Sequence, residues 1–283
     1  MKSAIQHNLI EISETNSSLE YTSRKMDCSE YIFHFKPIVQ VTAEGYKMIG
    51  AEALIRKVSN GKVILPDAFI EELEASDALA ELMKDHILKT AVQLNCILLE
   101  NDTFKVSFNV PPSMLTHSFV DFIENKFSNC KWLCLEITER TKVTDFTTAK
   151  GVIDRLRKLG IDIYLDDVGS GFGDNYYLQE FDITGVKIDK SFTSRIAHGD
   201  SKVIDCYIKM YQELGLNIVA EGVETKEQTN ALLKRGVHTQ QGYYFYKPLP
   251  LKKLLMWKQF ELIAFKNKQV VNQSQLDKVI KLP

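Results

Sequence analysis

Seven short apolar runs in this chain each carry, at or near their C-terminal end, a polar residue of a kind that does chemistry. Glu52 lies in Ala51-Glu52-Ala53-Leu54, Asn109 follows Phe108, and Glu136 and Glu139 close Leu135-Glu136-Ile137-Thr138-Glu139. Asp166 and Asp167 follow Leu165, Lys187 interrupts Val186-Lys187-Ile188-Asp189, and Glu221 and Glu224 lie in Ala220-Glu221-Gly222-Val223-Glu224. Gln241 sits in Gln240-Gln241-Gly242. Brought to one place, Glu52, Glu136, Asp166, Asp167 and Glu221 would crowd several carboxylates together, and like charges that close do not all stay ionised without a cation. Oxygen donors, with Asn109 as a neutral amide and no cysteine or histidine beside them, select hard cations such as Mg²⁺ or Mn²⁺. Two such ions bridge a phosphate and activate a water for in-line attack. Lys187 is the cation of the set, suited to orienting that water and to meeting charge that develops on phosphoryl oxygens.

Taken one at a time, these residues have plainer readings. Glu52 alone reads as a solvated strand-end acid, and Asp166-Asp167 before Gly169-Ser170-Gly171 as a turn. Lys187 alone reads as a side chain snorkelling from an edge strand. Asp189 and Glu224 read as residues at helix N-termini, stabilised by the helix dipole. Seven runs turning polar in succession favour the joint reading.

The elements that must position these groups alternate along the chain. Tyr31–Val41 and Tyr46–Ile55 flank Ala43-Glu44-Gly45 and read as an antiparallel hairpin. Pro66 opens a helix to about Leu73, and Asp77 caps a longer one to about Leu99. Strands are expected at 105–109, 132–137, 161–166, 185–188, 217–220 and 239–243. Helices are expected at about 118–127, 146–159, 201–214, 226–235 and 250–264. This rhythm implies parallel strands with crossover helices, closed into an irregular α/β barrel because the opening hairpin breaks strict order. In such a barrel the polar residues lie at the C-terminal mouth, where active sites of the architecture sit.

The bulk properties set bounds. The 283 residues nearly match one barrel of this class. With 35 lysines and arginines against 37 acids, the net charge of −2 argues against binding to duplex nucleic acid. The six histidines lack metal-ligand spacing, and the five cysteines are odd in number without a C-x-x-C pair, which argues against zinc and for a reducing compartment. Cys134, in Trp132-Leu133-Cys134-Leu135, reads as a small buried thiol. No run reaches the 18 apolar residues of a membrane span, and no signal-peptide pattern opens the chain, so a cytoplasmic protein is expected. Residues 1–29 are expected to be a flexible tail or a short docking helix, 30–265 the barrel, and 266–283 a polar tail. Either tail would suit a regulatory protein.

The ordered motifs resemble the EAL family of bacterial cyclic di-GMP phosphodiesterases from Tyr31 to Ala264. The matching pieces are Phe35-Lys36-Pro37-Ile38-Val39, Glu52-Ala53-Leu54-Ile55-Arg56, Phe108-Asn109, Glu136-Ile137-Thr138-Glu139 and Asp166-Asp167-Val168-Gly169-Ser170-Gly171. The series continues through Val186-Lys187-Ile188-Asp189-Lys190-Ser191-Phe192, Ala220-Glu221-Gly222-Val223-Glu224-Thr225, Gln241-Gly242-Tyr243-Tyr244-Phe245 and Lys247-Pro248-Leu249. The resemblance implies an irregular TIM (β/α)8 barrel with an antiparallel first strand. It implies that Glu52, Asn109, Glu136 and Asp166 hold one Mg²⁺ or Mn²⁺ and that Asp167 ligates a second ion. Lys187 would hold the attacking water, Glu221 would serve as general base or further metal ligand, and Gln241 would join the metal and water shell. Lys36, Leu54, Arg56, Gln241 and Pro248 would bind the dinucleotide, with Arg56 suited to a phosphate. Glu139 would anchor the loop after Asp167.

The implied reaction opens one phosphodiester bond of cyclic di-GMP to give linear pGpG, in an enzyme that works as a homodimer. The alternative is a catalytically weak or silent EAL barrel that acts as a cyclic di-GMP receptor or protein-binding module. Two departures bear on that choice. Lys36 stands where the family usually has glutamine near a guanine edge. The loop reads Asp166-Asp167-Val168-Gly169-Ser170-Gly171-Phe172-Gly173-Asp174 where the family usually has D-D-F-G-T-G and an aromatic.

Overall fold

Ile10, Ile12, Tyr21 and Thr22 favour extended backbone, and the N-terminal segment that carries them departs from expectation. Gln6–Ser13 (β1) and Glu20–Asp27 (β2) pair antiparallel, from Gln6 opposite Asp27 to Ser13 opposite Glu20, where the sequence led to a flexible tail or a short docking helix. The computed structural model describes residues 6–13, 20–43, 45–76, 78–95, 103–127, 130–138, 142–169, 174–196, 199 and 201–266. Tyr31–Thr42 (β3) buries every second residue from Tyr31 to Val41, the period-two signature of a strand. Gly45–Ser59 (β4) pairs with it, as the hairpin reading required. The contacts separate two units, one drawn from Met1–His34 and Ile55–Leu94, the other from Phe35–Leu54 and Asn95–Pro283.

In the first unit, Lys62–Ile64 (β5) pairs antiparallel with Lys57–Ser59 of β4. The helix expected from Pro66 to Leu73 is broken into a 3-10 turn, Pro66–Ala68, and a short helix, Ile70–Glu74 (α1). Phe69, at φ −150°, interrupts the run. Ala78–Asn95 (α2) follows, and the expected cap Asp77 and the helix end beyond residue 95 lie outside the described residues. Tyr31 meets Phe69 edge-on at 5.5 Å, and Phe33 packs on the His86 ring at 4.6 Å. Burial, reinforced by Lys89, holds the His86 imidazole down to about 4.

A histidine that resists protonation when folded makes stability fall with pH, here from about 6.5, where the unfolded imidazole begins to charge, toward about 4. The loss is expected to reach roughly 3 kcal/mol. His86→Phe should flatten the urea midpoint of this unit between pH 6.5 and 4.5, and an unchanged slope would contradict the assignment.

The second unit is the barrel. Lys105–Val110 (β6), Leu133–Ile137 (β7), Asp162–Val168 (β8), Gly185–Ile188 (β9), Asn217–Ala220 (β10) and Thr239–Gln240 (β11) follow β4 in parallel register, each beside the next. β3 pairs antiparallel with β11, Gln40 opposite Thr239 and Val39 opposite Gln240, and its pairing with β4 closes a ring of eight strands. This is the irregular α/β barrel with an antiparallel first strand that the sequence implied. Leu249–Pro250 (β12) adds beside β3.

Crossover helices are His117–Lys126 (α3), Phe146–Lys158 (α4), Asp174–Glu180 (α5), Lys190–Ile196 (α6), Lys202–Glu213 (α7) and Lys226–Leu233 (α8), with Leu251–Lys266 (α9) last. The side chains of Thr116 and Asp145 accept from the backbone N–H groups of Phe119 and Thr148, and Thr225 and Gln228 form a reciprocal capping box. Helix α5 was not foreseen, because seven residues give little periodicity to read, and of α6 the sequence marked only the start, at Asp189. β11 stops at Gln240 rather than Tyr243, because the next residues bond to a turn instead of a ladder: Gln241 O accepts from Val223 N, and Tyr244 N donates to Val223 O. Val106, Phe108, Leu133, Leu135, Ile163 and Leu165 form the fully buried layer outside the strands. No helix among the described residues is long and apolar enough to cross a membrane.

Candidate active site

Alternation along each barrel strand sends one set of side chains outward to the helices and the other inward. At the C-terminal ends the inward set is Asn109 on β6, Glu136 on β7, Asp166 on β8 and Lys187 on β9, joined by Glu52 on β4 and by Glu221 and Gln241 just past β10 and β11. Lys187 stands at the centre and is 1 % exposed. Its Nζ donates to Glu136 Oε2 at 2.9 Å and to Asp166 Oδ1 at 2.8 Å, and lies 2.7 Å from Glu221 Oε1 and 3.4 Å from Glu52 Oε1. Asn109 Nδ2 donates to Glu52 Oε1 at 3.0 Å, and Gln241 Nε2 donates to the Lys36 carbonyl at 3.1 Å. The snorkelling alternative for Lys187 therefore fails: its charge is buried and shared among carboxylates from four strands or strand ends.

Successive residues of a regular strand face opposite ways, so Asp166 and Asp167 would not share a site in an ideal β8. The ladder with β9 slips between Leu165 and Val168, three steps on β8 against two from Val186 to Ile188. That bulge, with Asp167 at φ 51°, breaks the alternation. Oxygens of Asp166, Asp167 and Glu221 consequently lie within 4.8 Å of one another. Glycines allow the closing turns. Gly222, at φ 63°, sits where a Cβ would lie 2.4 Å from Lys190 Cβ, and a Cβ on Gly242 would lie 1.9 Å from the Val223 carbonyl. Val223, fully buried and clamped to Gln241, is a positioning residue that the sequence reading missed, although glycines beside two polar strand ends were a usable signal.

The electrostatics follow from burial. Desolvation pushes the Glu136, Asp166 and Glu221 carboxyls up, and Lys187 pulls back only part of the way. Desolvation and the neighbouring Glu221 raise Asp167 to about 6. Burial alone would raise Glu52 too, but Lys187, Lys36 and the Asn109 amide outweigh it and bring Glu52 down to about 2. Burial disfavours the Lys187 ammonium, yet its carboxylate neighbours overcome that and hold it well above its ordinary range. One ammonium thus faces more negative charge than it neutralises. The Oδ1 of Asn109 and the Oε1 of Gln241 are buried acceptors without hydrogen-bond partners. Spare oxygen acceptors, an excess of carboxylate and no sulfur or imidazole in the set fit a hard divalent cation.

Other residues singled out from sequence are placed differently. Leu54 and Pro248 are half-buried in the barrel unit. Arg56 belongs to the first unit, where its Nη1 donates to the Ile55 carbonyl at 2.7 Å. Glu139 and loop residues 170–173 lie outside the described residues. Asp189 accepts from Ser191 N at 2.9 Å just before α6, the helix-start role read from sequence, and Cys134 is buried.

Fold and site together define an α/β barrel with one antiparallel strand and an acidic, lysine-centred mouth. The chain belongs to the EAL family: the EAL domain model matches residues 22–248. It is similar to the probable cyclic di-GMP phosphodiesterase PdeB of Escherichia coli strain K12, 35% identical over 231 residues that cover 79% of this chain and 44% of that protein. It is also similar to the cyclic di-GMP phosphodiesterase PdeL of the same strain, 32% identical, covering 78% of this chain and 64% of that one. The chain spans roughly half the length of the curated relatives it matches. Among solved structures, the EAL enzyme Bd1971 bound to cAMP and cyclic di-GMP matches with a TM-score of 0.71 at 29% identity, covering 81% of this chain and 65% of that one. The PaMucR phosphodiesterase in complex with c-di-GMP matches at 0.69 and 26% identity, covering 80% and 94%.

Proposed function

We propose that this chain is a Mg²⁺- or Mn²⁺-dependent phosphodiesterase of the bacterial cytoplasm that opens one phosphodiester bond of cyclic di-GMP to give linear pGpG. Glu52, Asn109, Glu136 and Asp166 would hold one ion, Asp167 a second, with Glu221 and Gln241 beside them. Bound ions supply Lewis acidity to the phosphoryl oxygens and lower the pKa of water. The remaining work belongs to the chain. Lys187 Nζ, fixed by four carboxylates, donates to the attacking water and meets negative charge as it develops. Glu221, whose carboxyl is raised by burial, accepts the water's proton at its carboxylate. Glu52 stays ionised throughout the working pH range. Lys36, close enough to lower Glu52, adds positive charge for a phosphate, and Leu54 and Pro248 of the same unit contact the rest of the dinucleotide.

The observation that carries this reading is the single buried ammonium held within 3.4 Å of Glu52, Glu136, Asp166 and Glu221. Purified chain supplied with Mn²⁺ should convert cyclic di-GMP to pGpG, as followed by chromatography. EDTA should reduce turnover to background, and excess Mn²⁺ or Mg²⁺ should restore it. No cleavage across pH and protein concentration would remove the enzymatic reading. Tight calorimetric binding without product would instead support the receptor reading that Lys36 and the altered loop suggest.

A further inference from the structure

The barrel holds a second polar layer below the acidic ring. Period two along β8 sets Asp166 in the ring and Tyr164 and Asp162 successively deeper, and β10 does the same with Val219 and Asn217 beneath Glu221. Barrels of this class normally fill that interior with stacked branched side chains. Here the lower layer encloses a cavity of about 250 Å³, all of it within the barrel unit. That is on the order of eight water volumes, a little below the range of clefts that take small molecules.

The lining has a polarity. Ile38, Ile49, Val219 and the Tyr164 ring supply apolar wall. Lys47 and Lys105 are at the open side with Asp162. The Asp162 charge is taken up by Lys105 and, at 3.4 Å, by Arg157. Lys47 is exposed and has no ion pair among the described residues, so it is the free charge of the rim. At the other end, Ser107 is 3 % exposed, and its hydroxyl faces the Glu136 carboxylate, which it helps to hold down. A cation at the rim, apolar walls and a buried hydroxyl whose oxygen can still accept describe a ligand with a carboxylate at one end and a hydroxyl at the other.

We propose that this cavity is a binding site for a small organic acid, its carboxylate on Lys47, its apolar body against Ile38, Ile49 and Val219, and a polar far end on Ser107. Glu136 lines the cavity and also bonds Lys187, so an occupant adjoins the acidic ring without entering it. The site is independent of cyclic di-GMP, and so is its test.

The full chain, labelled at its isoleucine and valine methyls, would be titrated with 4-hydroxybenzoate and followed by NMR. Saturable shifts confined to Ile38, Ile49 and Val219 and their neighbours are expected. The amine 4-hydroxybenzylamine should leave those methyls unmoved. Lys47→Glu, a surface change that leaves the fold intact, should weaken 4-hydroxybenzoate about tenfold or more through loss of a charge-assisted contact. Absence of saturable shifts up to roughly 10 mM, equal binding of the amine, or undiminished binding to the Lys47→Glu chain would each overturn the assignment.

Discussion

Lys187→Met is expected to remove the proposed phosphodiesterase activity and, in metal-free protein, to cost about 3–5 kcal/mol of stability, the usual consequence of leaving buried charge without its partner. Methionine matches the length of the lysine stem, so the loss would not come from a cavity. It would come from four carboxylates, each within 3.4 Å of the missing ammonium, now facing one another. Those acids relieve the strain by holding protons, as Glu136, Asp166 and Glu221 already do more tightly than ordinary carboxyls. A carboxyl raised on folding makes the native state lose stability as pH rises past the unfolded value near 4.3 toward the folded one. The variant should therefore be close to wild type at acid pH and furthest below it at pH 8. Mn²⁺, binding only the folded chain, should raise its melting temperature more than that of wild type. Equal metal-free stability at pH 8, or wild-type turnover, would contradict the central place given to this residue.

Glu52→Ala is expected to reduce turnover by at least about 10³-fold while leaving a folded barrel. Held down to about 2, Glu52 is a carboxylate at every pH of interest, and Asn109 reaches it through Nδ2 while keeping Oδ1 spare. Removing the carboxylate deletes a fixed anion and the group that orients the amide, so both oxygen donors change at once. Glu52→Gln separates charge from shape. It keeps an acceptor for Asn109 but carries no charge, and it should be nearly as inactive as alanine, with Mn²⁺ affinity reduced when measured by electron paramagnetic resonance. A glutamine variant with near-native rate would make Glu52 a hydrogen-bond acceptor rather than a ligand.

How far the site was legible depends on the element. β9 and β10 were read to the residue, because a short β-rich run between turn residues leaves little freedom in register. Asp166 and Asp167 were paired in the sequence, but consecutive residues face opposite ways in a strand, and only the bulge against β9 explains how both serve one mouth. Helix α5 was overlooked, being too short to show a period, and α6 was marked only by Asp189 at its start. The N-terminal strands β1 and β2 were misjudged because a polar composition outweighed their strand-forming residues.

The amino-acid sequence alone determined the alternation of barrel strands with the longer helices, the antiparallel start, and the recurrence of acids, an amide and a lysine at strand ends, since these are properties of local pattern. The tertiary structure decided the rest. Closure of the ring set Lys187 among Glu52, Glu136, Asp166 and Glu221 instead of at an edge. The layering of inward side chains left a cavity beneath them, and backbone contacts at Gly222 and Gly242 brought Gln241 into place. Each depends on groups distant along the chain meeting in a low-dielectric interior, where burial and neighbouring charge, not residue type, fix what a side chain does.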